Sequence, residues 1–162
     1  MGAYQIGSDE RYTTQETFDW CLAKTGVRSF DLDPAACAES FWAARWYSAD
    51  QNGLIQPWFG HIFLNPPYSD IEPWLDRAWR AVTLWTPHDC ALSVSVLIPA
   101  TKTEQKWWQK LVEPFRDLPA NGILRTYFQP TRAAFAYPGS GGVGQKGSRF
   151  GCVLLVFRRL VP

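Results

Sequence analysis

The sequence predicts an α/β fold: a mainly parallel sheet with helices on both faces and an antiparallel strand near the C-terminus. Three observations predict it. Strand-length apolar runs alternate with helix-patterned segments as far as residue 115, the order that parallel strands joined by crossover helices produce. The run "CALSVSVLIP", 90–99, is rich in Val, Ile and Leu and stopped by Pro99, as a buried central strand would be. Beyond it come three strand-like segments, "GILRTYF", "RAAFAYP" and "FGCVLLVF", whose short connections suit antiparallel pairing.

Each element has its own signal. "TTQETFDWCLAKTG", 13–26, reads as a helix capped by Thr13 or Thr14, with Glu16 near the first turn, Phe18, Cys21 and Leu22 at helical spacing and Gly26 as its stop. "VRSFDLD" is a short strand ending in acids, and "PAACAESFWAARW", 34–46, is helix-prone with Pro34 suited to a first turn. "GHIFLN" is a strand. In "DIEPWLDRAWRAVTLW", Ile71, Trp74, Leu75, Ala78, Trp79 and Val82 recur with the 3.6-residue period of an amphipathic helix. "TKTEQKWWQKLVEPF" is a further helix. Trp74 and Trp85 are expected in the core, leaving one or two of the nine tryptophans to line a site.

The 162 residues suit one domain, 1–162, and 46% hydrophobic content excludes a disordered chain. No run approaches the roughly 18 apolar residues of a membrane span, and the first residues lack a secretory pattern, so the expectation is a cytoplasmic protein with no membrane partner. Four scattered cysteines and only His61 and His88 as histidines predict reduced thiols and no metal site. Charge is segregated. Residues 1–99 carry 6 Lys/Arg against 12 Asp/Glu, whereas residues 100–162 carry 10 against 3. A basic second half fits a polyanion such as DNA, although solvated faces that happen to segregate would look the same.

Chemistry concentrates in "NPPY", Asn65, Pro66, Pro67 and Tyr68, directly after a strand. The Asn65 side-chain carbonyl and the Pro66 backbone carbonyl are acceptors, Pro67 restricts their relation, and Tyr68 adds a flat ring. Two acceptors and a stacking face suit a planar group with an exocyclic NH₂. Binding both N–H bonds frees the nitrogen lone pair for attack without a strong base. The plainer alternative is a strand-ending Pro-Pro turn with a capping Asn. In an open α/β sheet "DLDPAA" and "NPPY" share the edge where ligands bind.

These segments, "YTTQETFDWCL", "FDLDPAA", "NGLIQPWFGHIFLNPPYSDIEPWLDRA" and "VSVLIPATKTEQKWW", resemble in order and spacing the small phage-type DNA N6-adenine methyltransferases, over roughly residues 12 to 158. The resemblance implies a Rossmann-like class I methyltransferase fold without a separate target-recognition domain, S-adenosylmethionine as cofactor, DNA as partner, and Asn65, Pro66, Pro67 and Tyr68 as catalytic residues. It implies cofactor contacts from Tyr12, Thr13, Asp33, Pro34 and Ala35. Asp50 is a further candidate for the cofactor's ribose or adenine, or simply a turn aspartate before Asn-Gly. The family's glycine-rich first loop is absent, because "DLDPAACAES" holds no glycine.

For the substrate, Arg132 and Phe135 occupy a segment like the family's Gly-Arg-x-x-Phe, with Thr131 in place of the glycine. Phe135 either stacks on an extruded base opposite Tyr68 or packs inward. "GSGGVG", 139–144, matches a dinucleotide-loop pattern in the wrong context and reads as a loop that tracks phosphates through Lys146 and Arg149. Lys102, Lys106 and Lys110 form a four-residue stripe that suits phosphate or solvent equally. With no recognition domain, a short or relaxed site is expected, or a homodimer that enlarges the contact. Two other readings remain open: RNA or a protein glutamine as methyl acceptor, and a catalytically degenerate DNA-binding module.

Overall fold

Thr14 and Gly26 bracket the first helix as their chemistry dictates. The Thr14 hydroxyl accepts from the Thr17 amide, and Gly26 closes the helix at φ 72°, a left-handed conformation that a Cβ disfavours. The computed structural model describes residues 11–119, 122–133, 135–136 and 150–160. Chain order is β1 (Tyr12–Thr13), α1 (Gln15–Thr25), β2 (Leu32–Asp33), β3 (Arg45–Trp46), a 3₁₀ turn (Ala49–Gln51), β4 (Phe59–Leu64) and α2 (Ile71–Thr83). It continues with β5 (Cys90–Pro99), a second 3₁₀ turn (Ala100–Lys102), α3 (Lys106–Leu111), β6 (Leu124–Arg132), β7 (Phe135–Ala136) and β8 (Gly151–Arg158).

Six strands form one sheet in the order β3-β2-β4-β5-β8-β6. The pairs β3–β2, β2–β4 and β4–β5 are parallel, while β8 lies antiparallel to both β5 and β6. Five strands therefore run one way, with the last strand reversed between two of them. β1 and β7 pair separately, Tyr12 opposite Ala136 and Thr13 opposite Phe135.

Strand alternation sends side chains to two cores. On one face Ile62, Leu64, Val94, Val96 and Leu155 pack against Ile71, Trp74, Leu75, Ala78 and Val82 of α2 and Trp108 of α3. On the other, Phe63, Leu97, Leu154 and Val156 pack with Cys21 of α1, Phe30 and Phe135. Helices thus cover both faces. None among the described residues is long and apolar enough to cross a membrane. The four cysteines are free thiols.

Three sequence expectations are corrected. Residues 34–46 are not a helix. The Asp33 carboxylate accepts from the Ala35 and Trp42 amides, both at 3.3 Å, and Cys37 and Ser40 exchange backbone bonds of 3.0 and 3.1 Å. Trp42 also stacks on Phe18 with ring centroids 4.4 Å apart, so tertiary contacts override a local helix preference. Trp85 is not core. α2 stops at Thr83, Leu84 turns extended, and Trp85 is left 63% exposed. Finally, the lysine stripe does not lie on one helix, since Lys102 closes the 3₁₀ turn and α3 begins only at Lys106.

Candidate functional site

The ends of β2 and β4 are neighbours in the sheet, and the chain leaves β2 toward one edge and β4 toward the other. Such a divergence opens a crevice beyond the strand ends. A cavity of about 520 Å³ lies there, lined by both loops and by β1 with the residue before it. Its walls include Asp33 to Cys37 after β2, Asn65 to Asp70 after β4, Arg11 to Thr13, and Ser48, Ala49 and Asn52 to Leu54.

Asn65 is held from one side. Its Nδ2 donates to the Arg11 carbonyl at 2.9 Å and to the Thr13 hydroxyl at 3.1 Å. A carbonyl can only accept, so the nitrogen must face it and the oxygen must face away. That oxygen, Oδ1, is buried and has no hydrogen-bond partner among the described residues. An unmet buried acceptor costs about 1–3 kcal/mol, which marks it for a ligand. The neighbouring prolines divide their roles. The Pro67 carbonyl accepts from the Asp70 amide at 3.2 Å in the turn that opens α2. The Pro66 carbonyl accepts no backbone bond among the described residues. Asn65 Oδ1 and the Pro66 carbonyl thus belong to adjacent residues of the same cavity wall.

Tyr68 presents its ring to the cavity and packs its far side against aromatics. Phe135 and Phe150 meet it edge-on, at centroid distances of 6.2 and 6.0 Å. The Arg11 guanidinium lies 5.7 Å from the Tyr68 ring centroid and 5.1 Å from that of Phe150. The Tyr68 hydroxyl is buried without an oxygen or nitrogen partner. Burial first, then the nearby Cys152 thiol, pushes its pKa well above the phenolic range, so it stays neutral.

The opposite wall is built around Asp33. Its carboxyl is 4% exposed, and burial raises its pKa to about 7 against the opposing pull of the Ala35 and Trp42 amides. Both oxygens fasten the loop, so Asp33 shapes this wall, while Pro34, Ala35 and Ala36 line it with little bulk. Gly53 packs against that loop so closely that a Cβ there would sit 1.9 Å from the Pro34 carbonyl oxygen. Its own carbonyl accepts from the buried Trp58 indole at 2.8 Å. Two rigid walls result.

Of the residues singled out from sequence, Tyr12, Thr13, Asp33, Pro34, Ala35, Asn65, Pro66, Pro67 and Tyr68 meet at this one cavity. Asp50 is exposed in the 3₁₀ turn and does not line it, although its neighbours Ala49 and Ser48 do. Phe135 is buried to 1% in the core beneath Tyr68, placed to brace that ring rather than to face it across a gap. Arg132 is exposed at the end of β6 opposite Gly151. Lys146, Arg149 and the "GSGGVG" segment lie outside the described residues. Arg11 and Trp42 line the cavity and were missed. Arg11 contributes a backbone carbonyl, which no side-chain pattern reports, and Trp42 lay in a segment read as helical. Neither histidine lines the cavity.

The sheet, mostly parallel with a crevice at its switch point, defines the class: an α/β protein whose cavity lies beyond the strand ends. The chain belongs to the DNA N-6-adenine-methyltransferase (Dam) family, whose model matches residues 7–160. No curated protein and no solved structure matches it.

Proposed function

We propose that this protein methylates the exocyclic N6 amine of adenine in DNA, using S-adenosylmethionine, with the base extruded from the duplex into the cavity beside Asn65–Tyr68. The observation that carries this reading is Asn65: its amide nitrogen is tied down and its buried Oδ1 has no partner among the described residues, with Pro66 beside it in the cavity wall. Membership of the family supplies the substrate class. The strand order, with a reversed last strand between β5 and β6, supports a Rossmann-like methyltransferase reading of the fold.

The cavity suits such a cofactor. It is large enough for a small ligand, Ala35, Ala36 and Gly53 keep its walls close to backbone, and Arg11 offers a cation for a carboxylate. Tyr12, Thr13, Asp33, Pro34 and Ala35 would hold it, Asp33 through the loop it fastens, and Asp50 remains a candidate only from the rim. When bound, S-adenosylmethionine supplies an electrophilic methyl group. The chain's own work is orientation. Asn65 Oδ1 and the Pro66 carbonyl each accept one N–H of the amine and draw the nitrogen toward tetrahedral geometry, while Tyr68 stacks on the ring. Phe135 and Phe150 fix Tyr68 from behind. Adenine's N6 is inaccessible inside a duplex, so extrusion is required.

The decisive experiment incubates the protein and S-adenosylmethionine with unmethylated DNA, RNA and a glutamine peptide, then analyses digests by mass spectrometry. The expected product is N6-methyladenine in DNA alone. Asn65→Ala should bind the cofactor normally by calorimetry and lose about 10²-fold in turnover, as with loss of one preorganised partner. Near-normal turnover would remove Asn65 from the mechanism.

A further inference from the structure

The two bonds that tie down Asn65 come from a different part of the chain, and both partners act as acceptors. The Arg11 carbonyl lies 2.9 Å and the Thr13 hydroxyl 3.1 Å from the same nitrogen. Both belong to or adjoin β1, whose position is set by antiparallel pairing with β7. Thr13 is itself buried at the cavity wall. Each amide hydrogen has one acceptor, so rotating the side chain by half a turn would put Oδ1 against the Arg11 carbonyl oxygen and lose that bond, while the Thr13 hydroxyl, which can also donate, would have to turn its hydrogen round.

We propose that the Arg11 carbonyl and the Thr13 hydroxyl form an acceptor pair for the Asn65 NH₂, in which the carbonyl, able only to accept, selects an amide over a carboxylate at position 65 and fixes which way its oxygen points, while the hydroxyl holds the second amide hydrogen and makes Thr13 a positioning residue. This rests on reading Asn65 Oδ1 as the acceptor for the substrate amine. A carboxylate here would set one oxygen against the Arg11 carbonyl with no hydrogen between them, so it would need a proton to take the place of the amide. The acceptor pair in this chain therefore disfavours Asp at position 65. The titratable groups around the cavity are Arg11, Tyr12, Asp33, Cys37, Tyr68 and Asp70. Of these, only the Arg11 guanidinium would favour an ionised carboxyl at position 65. Arg11→Gln removes that cation and keeps the backbone carbonyl.

Two measurements on the full chain test this. In Asn65→Asp combined with Arg11→Gln, carbon-detected NMR should find the introduced carboxyl titrating at about pH 5 or above, against an ordinary value of about 3.9. Titration at or below the ordinary value overturns the acceptor pair. Independently, nitrogen-edited spectra report the Asn65 side-chain NH₂, assigned by its disappearance in Asn65→Asp. Thr13→Val should speed its exchange with solvent by about 10-fold or more, and Thr13→Ser should restore it. Unchanged exchange in Thr13→Val overturns the positioning role, even if Asn65→Asp fails to fold. In turnover, Thr13→Val should lower kcat by about 10-fold, a larger change than any in the KM for S-adenosylmethionine, whose proposed cavity Thr13 also lines, and Thr13→Ser should rescue kcat. A raised KM at unchanged kcat would make Thr13 a cofactor contact only and overturn its positioning role. If wild type makes no N6-methyladenine, the functional reading fails, while the two NMR measurements still decide whether the acceptor pair exists.

Discussion

At the scale of single residues, the cavity carries polar groups whose unmet bonds assign them different tasks. On the proposed reading Asn65 Oδ1 is left for the substrate amine. The Tyr68 hydroxyl meets no oxygen or nitrogen among the described residues, and the proposed reading uses its ring instead. Tyr68→Phe should therefore leave turnover within about threefold and thermal stability nearly unchanged, since the buried hydroxyl it removes meets only the Cys152 thiol among the described residues. Tyr68→Ala removes the stacking face and should cost about 10²-fold in kcat, a stacking loss of about 1–3 kcal/mol. A large loss in Tyr68→Phe would give the hydroxyl a role. Asp33 makes a pH prediction. Its folded pKa of about 7 lies above the ordinary aspartate value of 3.8, so the folded state holds this proton more tightly than the unfolded chain does. Its stabilising contribution is complete below about pH 4 and is lost as pH rises to about 7. The wild-type melting temperature should therefore fall relative to Asp33→Asn across that window, measured as the difference between the two at each pH. A flat difference would mean that Asp33 titrates in the ordinary carboxylate range.

At the scale of elements, the walls of the cavity are held by fasteners placed well away from it. Arg77 of α2 is one. Its Nη1 lies 2.7 Å from Asp89 Oδ2, and Nη2 donates to Asp89 Oδ1 at 2.8 Å and to the Gln56 carbonyl at 3.2 Å. Its guanidinium covers the Trp58 ring at 4.7 Å, and Asp89 also accepts from the Trp58 amide. Trp58 in turn bonds Gly53, which abuts the Pro34 loop. Removing Arg77 strands a partly buried carboxylate, so Arg77→Ala should cost about 3 kcal/mol in a urea melt. A loss below about 1 kcal/mol would reduce the pair to a surface contact. Elements of this kind also divide what the sequence could disclose from what it could not. α2 was legible because six apolar positions share one helical stripe, and β5 because its apolar run ends at a proline. Asn65–Tyr68 was legible because two prolines between an amide and a ring have few structural uses. The loop at 34–46 was not, because its shape depends on the Asp33 carboxylate reaching amides two and nine residues away and on Phe18 of another element. The anchoring of Asn65 was equally hidden, because its partners lie 54 and 52 residues away and one of them is a backbone carbonyl.

At the scale of the whole molecule, the charge asymmetry of the sequence reads differently once its residues are placed. Several cations of the basic half are already engaged. Arg116 bonds Glu113 and Asp117, Arg158 donates to the Thr25 carbonyl, and Arg159 donates to the carbonyls of Ala81 and Ala91. Lys110 sits 3.8 Å from Glu72. Cations engaged in this way release few counterions from a bound nucleic acid, so the excess counted along the chain overstates the surface open to phosphate. Lys102, Lys106, Arg125 and Arg132 have no ion pair among the described residues, and Lys146 and Arg149 are the remaining cations of that half. DNA affinity should then fall with salt at a slope set by these residues alone, each neutralised phosphate contributing about −0.9 to the logarithmic slope. Neutralising Lys146 and Arg149 together should flatten that slope by about 1 to 2 and weaken all sequences alike, with single-turnover methylation of saturating DNA little changed. Arg116→Gln, which loses a cation already satisfied by two carboxylates, should leave the slope unchanged within error. Equal flattening by both variants would show that engaged and free cations contribute alike, and the placement argument would fail. If the double variant instead binds normally but turns over poorly, Lys146 and Arg149 act at the chemical step rather than on the phosphate backbone.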